Sequence, residues 1–176
     1  PLMMLSPRVR QRLARDRTAT FGLLLIALLV VFAVFGPLLL SNPNTSDFGL
    51  AASRSGGPPG PSAAHWLGTD SLYRDLLSRL ATAARLSLAI GVASTFIALA
   101  LGTLVGVLAG HFEARHRAAR WLIKLVDVAL AFPYLLLITA IGVALERTTA
   151  LTVVIILGTT SWVGIARIVH AKVRQL

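Results

Sequence analysis

Four stretches of this 176-residue chain are long and apolar enough to cross a lipid bilayer: residues 20–40, 86–110, 121–145 and 148–166. A hydrocarbon core about 30 Å thick needs roughly 20 helical residues. No Asp, Glu, Lys or Arg falls between Arg17 and Asp47, between Arg85 and Glu113, or between Arg147 and Arg167. The third stretch holds one interior acid, Asp127. Inside lipid every backbone polar group must find its partner within the protein, so such a chain is restricted to helices packed as a bundle. The expected fold class is all-α, a polytopic transmembrane helical bundle.

The net charge of +10 raises the question of nucleic acid. Position answers it, because the basic residues flank the spans, and no nucleic-acid partner is expected. Cytoplasmic flanks carry excess Lys and Arg. With the N-terminus inside, Arg8, Arg10, Arg12, Arg15, Arg17, Arg115, Arg117, Arg120, Lys124, Arg167, Lys172 and Arg174 lie inside. Arg54, Arg74, Arg79, Arg85 and Arg147 lie outside. The bias predicts a cytoplasmic N-terminus and a cytoplasmic Leu176. The absence of Cys excludes disulfides and thiolate sites. The four His residues lack metal-ligand spacing, so no metal is expected.

Residues 1–19 form a basic cytoplasmic arm, either an interfacial helix on anionic lipid or a plain positive-inside anchor. Residues 20–40 form a first helix that is longer than a signal h-region and is expected to be retained. Gly36-Pro37 is expected to end or kink it. Residues 41–85 form an extracytoplasmic loop. Its Gly/Pro/Ser-rich part, 53–62, reads as a flexible connector. Its later part predicts an amphipathic helix at about 70–84, with N-caps among Thr69, Asp70 and Ser71 and an ion pair between Asp75 and Arg79. Residues 86–176 hold the three remaining spans. In the second span, Ala98, Gly102, Gly106 and Gly110 form a ladder of small residues at four-residue spacing, a face suited to close helix packing. Trp121 suits an interfacial belt. The short link at Glu146-Arg147-Thr148-Thr149 predicts that spans three and four form an antiparallel hairpin.

Three features in the spans are candidates for function. Asp127 is costly in lipid, which marks a polar path or a proton relay by default. Its alternative is a structural pair with Lys124, three residues earlier, or with Arg120. Phe132-Pro133 breaks the hydrogen-bond ladder mid-span, as pathway helices and static bundles both do. Gly158-Thr159-Thr160-Ser161-Trp162 and Gly164 line either a hydrated cavity or a tight helix contact. No catalytic constellation and no phosphate-cradling loop is present in the sequence.

The run His65-Trp66-Leu67-Gly68-Thr69-Asp70, with Arg74-Asp75-x-x-Ser78-Arg79 and Arg85-x-Ser87-Leu88, closely resembles the inner-membrane permeases of dipeptide, oligopeptide and nickel ABC importers. The C-type member of the permease pair is the match. Phe21-Gly22-Leu23, Gly36-Pro37, Val126-Asp127-Val128-x-x-Ala131-Phe132-Pro133 and Ser161-Trp162-x-x-x-Ala166-Arg167 fit the same family. Tyr73 and Ala83 stand where that family often has Gly, and the turn after Gly110 is longer and more basic. The resemblance implies a type I ABC importer permease fold. Its first four of six spans are covered here, and the sequence stops before the helix that docks on the ATPase.

It further implies a peptide-importing permease subunit in the bacterial cytoplasmic membrane that is not itself an enzyme. The implied partners are a homologous second permease subunit, two ATPase subunits carrying ATP and Mg, an extracytoplasmic substrate-binding protein and the bilayer. No cofactor is implied on this chain. Asp127, Phe132, Pro133, Thr160 and Trp162 are then candidates for the translocation path. His65, Trp66, Asp70, Arg74, Asp75 and Arg79 are candidates for the surface that meets the binding protein. The rival readings are a nickel or other small-ligand permease, a non-transporting anchor or assembly module, and an ion or proton channel centred on Asp127.

Overall fold

The computed structural model describes residues 16–49, 59–112, 116–131, 133–145 and 149–175. Among these, ordered structure is helical apart from two isolated bridges, Ser46 with Arg74 and Thr69 with Asp75. The chain forms two compact units, divided at Leu88 and Ala89. The basic arm before Asp16, the connector at 53–58, Phe132 and the link at 146–148 fall outside the described residues.

In the first unit, helix α1 spans Arg17–Leu39. The Asp16 carboxylate caps it, accepting from the N–H groups of Thr18 and Ala19 at 3.0 and 3.3 Å. That satisfies donors which a helix start otherwise leaves open. Phe21, Leu24, Ile26, Leu28, Val31 and Phe35 are all exposed, so the helix is apolar around its circumference. A helix with that pattern belongs in lipid. Pro37 lies in its last turn, and the helix runs two residues past it to Leu39. Only Ala33 and Gly36 are buried. A Cβ on Gly36 would come within 2.7 Å of the Ala81 Cβ, so the backbone of α1 touches the next helix directly there.

Helix α2, Leu76–Phe112, begins in the first unit and continues through the second. It starts at Leu76, not near residue 70. Asp75 is its cap, with Oδ2 accepting from the Ser78 N–H at 2.9 Å and its carbonyl from the Arg79 N–H at 3.2 Å. Thr69, Asp70 and Ser71 therefore do not cap it. Asp70 instead opens a tight turn, its Oδ1 accepting from the Leu72 and Arg74 N–H groups and its carbonyl from the Tyr73 N–H.

The second unit holds the rest of α2 with α3 (Arg117–Ala131), α4 (Tyr134–Ala144) and α5 (Ala150–Val173). A reciprocal capping box of Thr149 and Thr152 starts α5. The α2–α5 seam is set by small residues. Added Cβ atoms on Gly102, Gly106 and Gly110 would lie 2.7, 2.7 and 2.8 Å from the Cβ atoms of Ile165, Val169 and Val173. From the other side, Gly158 meets Ile97 at 2.7 Å. Ala98 is buried, and the buried Ser94 hydroxyl reaches the Val154 carbonyl at 3.4 Å. Partners advance together along both helices, so α2 and α5 run parallel.

Parallel packing dictates what lies between. Gly110 sits level with Val173, while α5 begins at Ala150, about 34 Å back along the axis at 1.5 Å per residue. Residues 113–149 must make that return. The described residues among them form two helices, α3 and α4, bent by 84° about the break at Pro133, not one continuous span over 121–145. Pro133 removes a donor and clashes with the turn before it, which kinks or breaks a helix at its interior. Val126 of α3 packs with Val163 and Ala166 of α5 in a small core, flanked by Val105, Ile123 and Trp162.

Candidate functional site

Two regions gather the singled-out residues. The first is the outer hairpin ahead of α2. Its turn is closed by the Tyr73 N–H to the Asp70 carbonyl at 2.9 Å, and the Asp70 N–H returns to the Arg74 carbonyl at 3.0 Å. Tyr73 sits at φ 57, the left-handed region. This is a three-residue hairpin loop whose bulge position favours glycine. Gly68, at φ 77, is needed on two counts, because an added Cβ would also lie 2.9 Å from the Pro59 carbonyl oxygen. That carbonyl accepts from the Thr69 N–H at 3.1 Å, so residues 59–62 of the connector are tied to the motif.

Asp70 is the hub. Its Oδ1 accepts from the N–H groups of Leu72 and Arg74 at 2.9 and 3.0 Å. Its Oδ2 accepts from Arg74 Nε at 2.9 Å and Arg79 Nη1 at 2.6 Å. The side chain is only 17% exposed. Desolvation pushes its pKa up, but the hydrogen bonds from the Arg74 side chain and backbone and from the Leu72 N–H, with the Arg74 charge, outweigh it and hold the value at about 2. The expected Asp75–Arg79 pair is thus replaced. Arg79 reaches back nine residues to Asp70, and Asp75 instead meets His65, Nδ1 to Oδ1, at 3.2 Å. Helix spacing could not reveal this, because Asp75 points its carboxylate at the helix start. Trp66 stands 71% exposed on the hairpin.

The second region is a cleft of about 510 Å³ beside the α3–α4 break. Ala129 and Leu130 of α3, Tyr134 and Leu137 of α4, and residues 159–164 of α5 line it. Thr160 and Trp162 are among its walls, and Pro133 immediately precedes Tyr134. Tyr134 was not singled out by sequence. Its hydroxyl lies 2.6 Å from Ser161 Oγ and joins α4 to α5. Thr159 and Thr160 donate to the Ile155 and Ile156 carbonyls at 2.7 Å, so their hydroxyls serve their own helix. No charged side chain is among the lining residues.

Asp127 is outside this cleft. Its Oδ1 faces Arg167 of α5 at 3.9 Å, and both side chains are more than half exposed. The expected Lys124 partner is turned the other way, with its ammonium 4.9 Å from the Trp121 ring centroid. Phe132 lies outside the described residues. Gly102, Gly106 and Gly110 fall on the α2–α5 seam, and Ala98 is buried one turn earlier on the same helix. Among the described residues no group of His, Cys, Asp or Glu could hold a metal ion.

α1, α2 and α5 are each long and apolar enough to cross a bilayer, and α3 with α4 makes a fourth crossing if the bent pair counts as one span. The chain is an all-α polytopic membrane protein. Residues 6–58 match the model of the N-terminal TM domain of oligopeptide transport permease C. The dipeptide transport system permease protein DppC of Bacillus subtilis is 34% identical over 94% of this chain and 49% of its own length. The oligopeptide permease OppC of the same organism is 32% identical over 94% and 52%. The di/tripeptide permease DppC of Pseudomonas aeruginosa is 39% identical over 93% and 53%. The chain is thus similar along nearly its whole length to C-type peptide transport permeases. It spans about half the length of the curated relatives it matches.

Proposed function

We propose that this chain forms part of the permease subunit of an ATP-driven importer and supplies one wall of a path for di- or oligopeptides. The observation that carries the reading is the cleft at the α3–α4 break, in a chain whose relatives are named as peptide permeases. Its wall combines aromatic and aliphatic surface with neutral hydroxyls. Such a surface suits ligands whose side chains vary and whose amide backbone does not. A wall without fixed charge leaves peptide termini unpaired on this side, which favours passage over tight retention.

In this reading a homologous permease subunit supplies the facing wall, and two ATPase subunits carrying ATP and Mg act from the cytoplasm. An extracytoplasmic binding protein meets the rigid hairpin at His65–Arg79. The N-terminus is cytoplasmic. Asp127, paired outside the cleft, has a positioning role in place of a channel role.

The test is uptake of a labelled dipeptide by cells lacking the gene. Deletion is expected to abolish uptake and complementation to restore it, whereas unchanged uptake overturns the reading. Gly164 lines the cleft and has open space where a Cβ would point. Gly164→Trp therefore adds bulk at the cleft from a position that accepts a Cβ, and is expected to cut uptake severely at unchanged protein level.

A further inference from the structure

We propose that the start of α3, with the end of α2, is a binding site for an anionic phospholipid. Helix α3 divides sharply between its faces. Ala119 and Val126 are buried, with Ile123 packed at the core. Arg117, Arg120 and Lys124 are exposed and recur three, four and seven residues apart, which makes one basic stripe. Among the described residues no carboxylate pairs with any of the three. The one acid of α3, Asp127, faces Arg167. Beside the stripe Trp121 is 65% exposed, with Lys124 over its ring.

An apolar groove of about 380 Å³ adjoins this stripe, between the end of α2 and the start of α3. Leu108 and Phe112 of α2, His116 just ahead of α3, and Ala118, Ala119 and Leu122 of α3 line it. Ala118 and Leu122 each directly follow a residue of the outward face, Arg117 and Trp121. The groove takes an acyl chain, the stripe takes the phosphate, and the indole lies at the level between them. A free phosphate would use the cations and leave the groove empty. An acidic protein surface would do the same. A phospholipid uses both.

The experiment takes the full-length protein in vesicles, with every tryptophan except Trp121 replaced by Phe, Trp66 and Trp162 among them, so that Trp121 is the reporter. Brominated phosphatidylglycerol is expected to quench Trp121 more strongly than brominated phosphatidylcholine at equal content. Arg117→Gln, Arg120→Gln and Lys124→Gln are each expected to lower that preference about fivefold, and Arg117→Lys with Arg120→Lys to preserve it. Equal quenching by the two lipids overturns the proposal, as does a preference that survives all three neutral substitutions. Loss of the preference on adding the ATPase subunits would mark the face as a protein contact and also overturn it.

Discussion

The outer hairpin and the α2–α5 seam are both rigid, but by opposite means. The hairpin is held by charge and directional bonds: one carboxylate accepts from two backbone N–H groups and two guanidinium groups. The seam has no such bonds along its glycine ladder. It is held by bare backbone against side chain, with no room for a methyl group at Gly102, Gly106 or Gly110. The difference follows from the solvent. In lipid, apolar surface gains nothing by leaving its surroundings, so helices associate through close contact. In a loop, entropy must be opposed by bonds that specify one geometry, and charge-assisted bonds do this best.

That contrast can be broken at either end. The largest effect is expected at the seam. Gly106→Leu places atoms where the Ala166 carbonyl oxygen lies 2.6 Å from the first added carbon. The expected destabilisation is about 3 kcal/mol or more, read as a fall in thermal stability of the solubilised protein. Gly91→Ala, on the same helix with open space around it, is the control. It is expected to be neutral or to gain up to about 1 kcal/mol from helix propensity.

Next comes the hub. Asp70→Asn removes both ion pairs and is expected to raise protease cleavage of the hairpin while leaving the seam untouched. The pH dependence has a definite sign. Because the folded pKa of Asp70, about 2, lies below the usual carboxylate value of about 3.9, its contribution is complete above pH 4. It is lost as pH falls through 2. Pepsin cleavage of the loop at stepped acid pH would show this, and loosening that already began near neutrality would contradict it.

Smaller effects sharpen the picture. Tyr73→Gly relieves a left-handed backbone by about 1 kcal/mol and gives up a ring contact with Phe48, at 6.5 Å between centroids, worth about 0.5 kcal/mol. A slight net gain in hairpin stability is expected, measured by hydrogen exchange. Asp127→Asn is expected to change stability by less than about 1 kcal/mol, since its pair with Arg167 is long and exposed.

Much of this molecule is written locally. Charge-free runs of 19 residues or more mark membrane helices, because one residue's hydropathy needs no partner to be felt. The four-residue spacing of Gly102, Gly106 and Gly110 shows that one face is smooth. Pro133 announces a break, because its ring acts on its own helix. What the spacing of residues does not reveal is which element a side chain finally meets. Arg79 lies one helical turn from Asp75 yet reaches Asp70, because Asp75 is occupied as the cap. Asp127 has Lys124 within a turn but faces Arg167, forty residues on, because α5 lies against α3. Tyr134 and Ser161 are ordinary residues until the bend at Pro133 brings them together. Covalent geometry and hydropathy act over a turn of helix and are legible in order along the chain. The parallel seam, the pairing of charges and the cleft arise where distant segments compete for the same space, and only packing in three dimensions decides that competition.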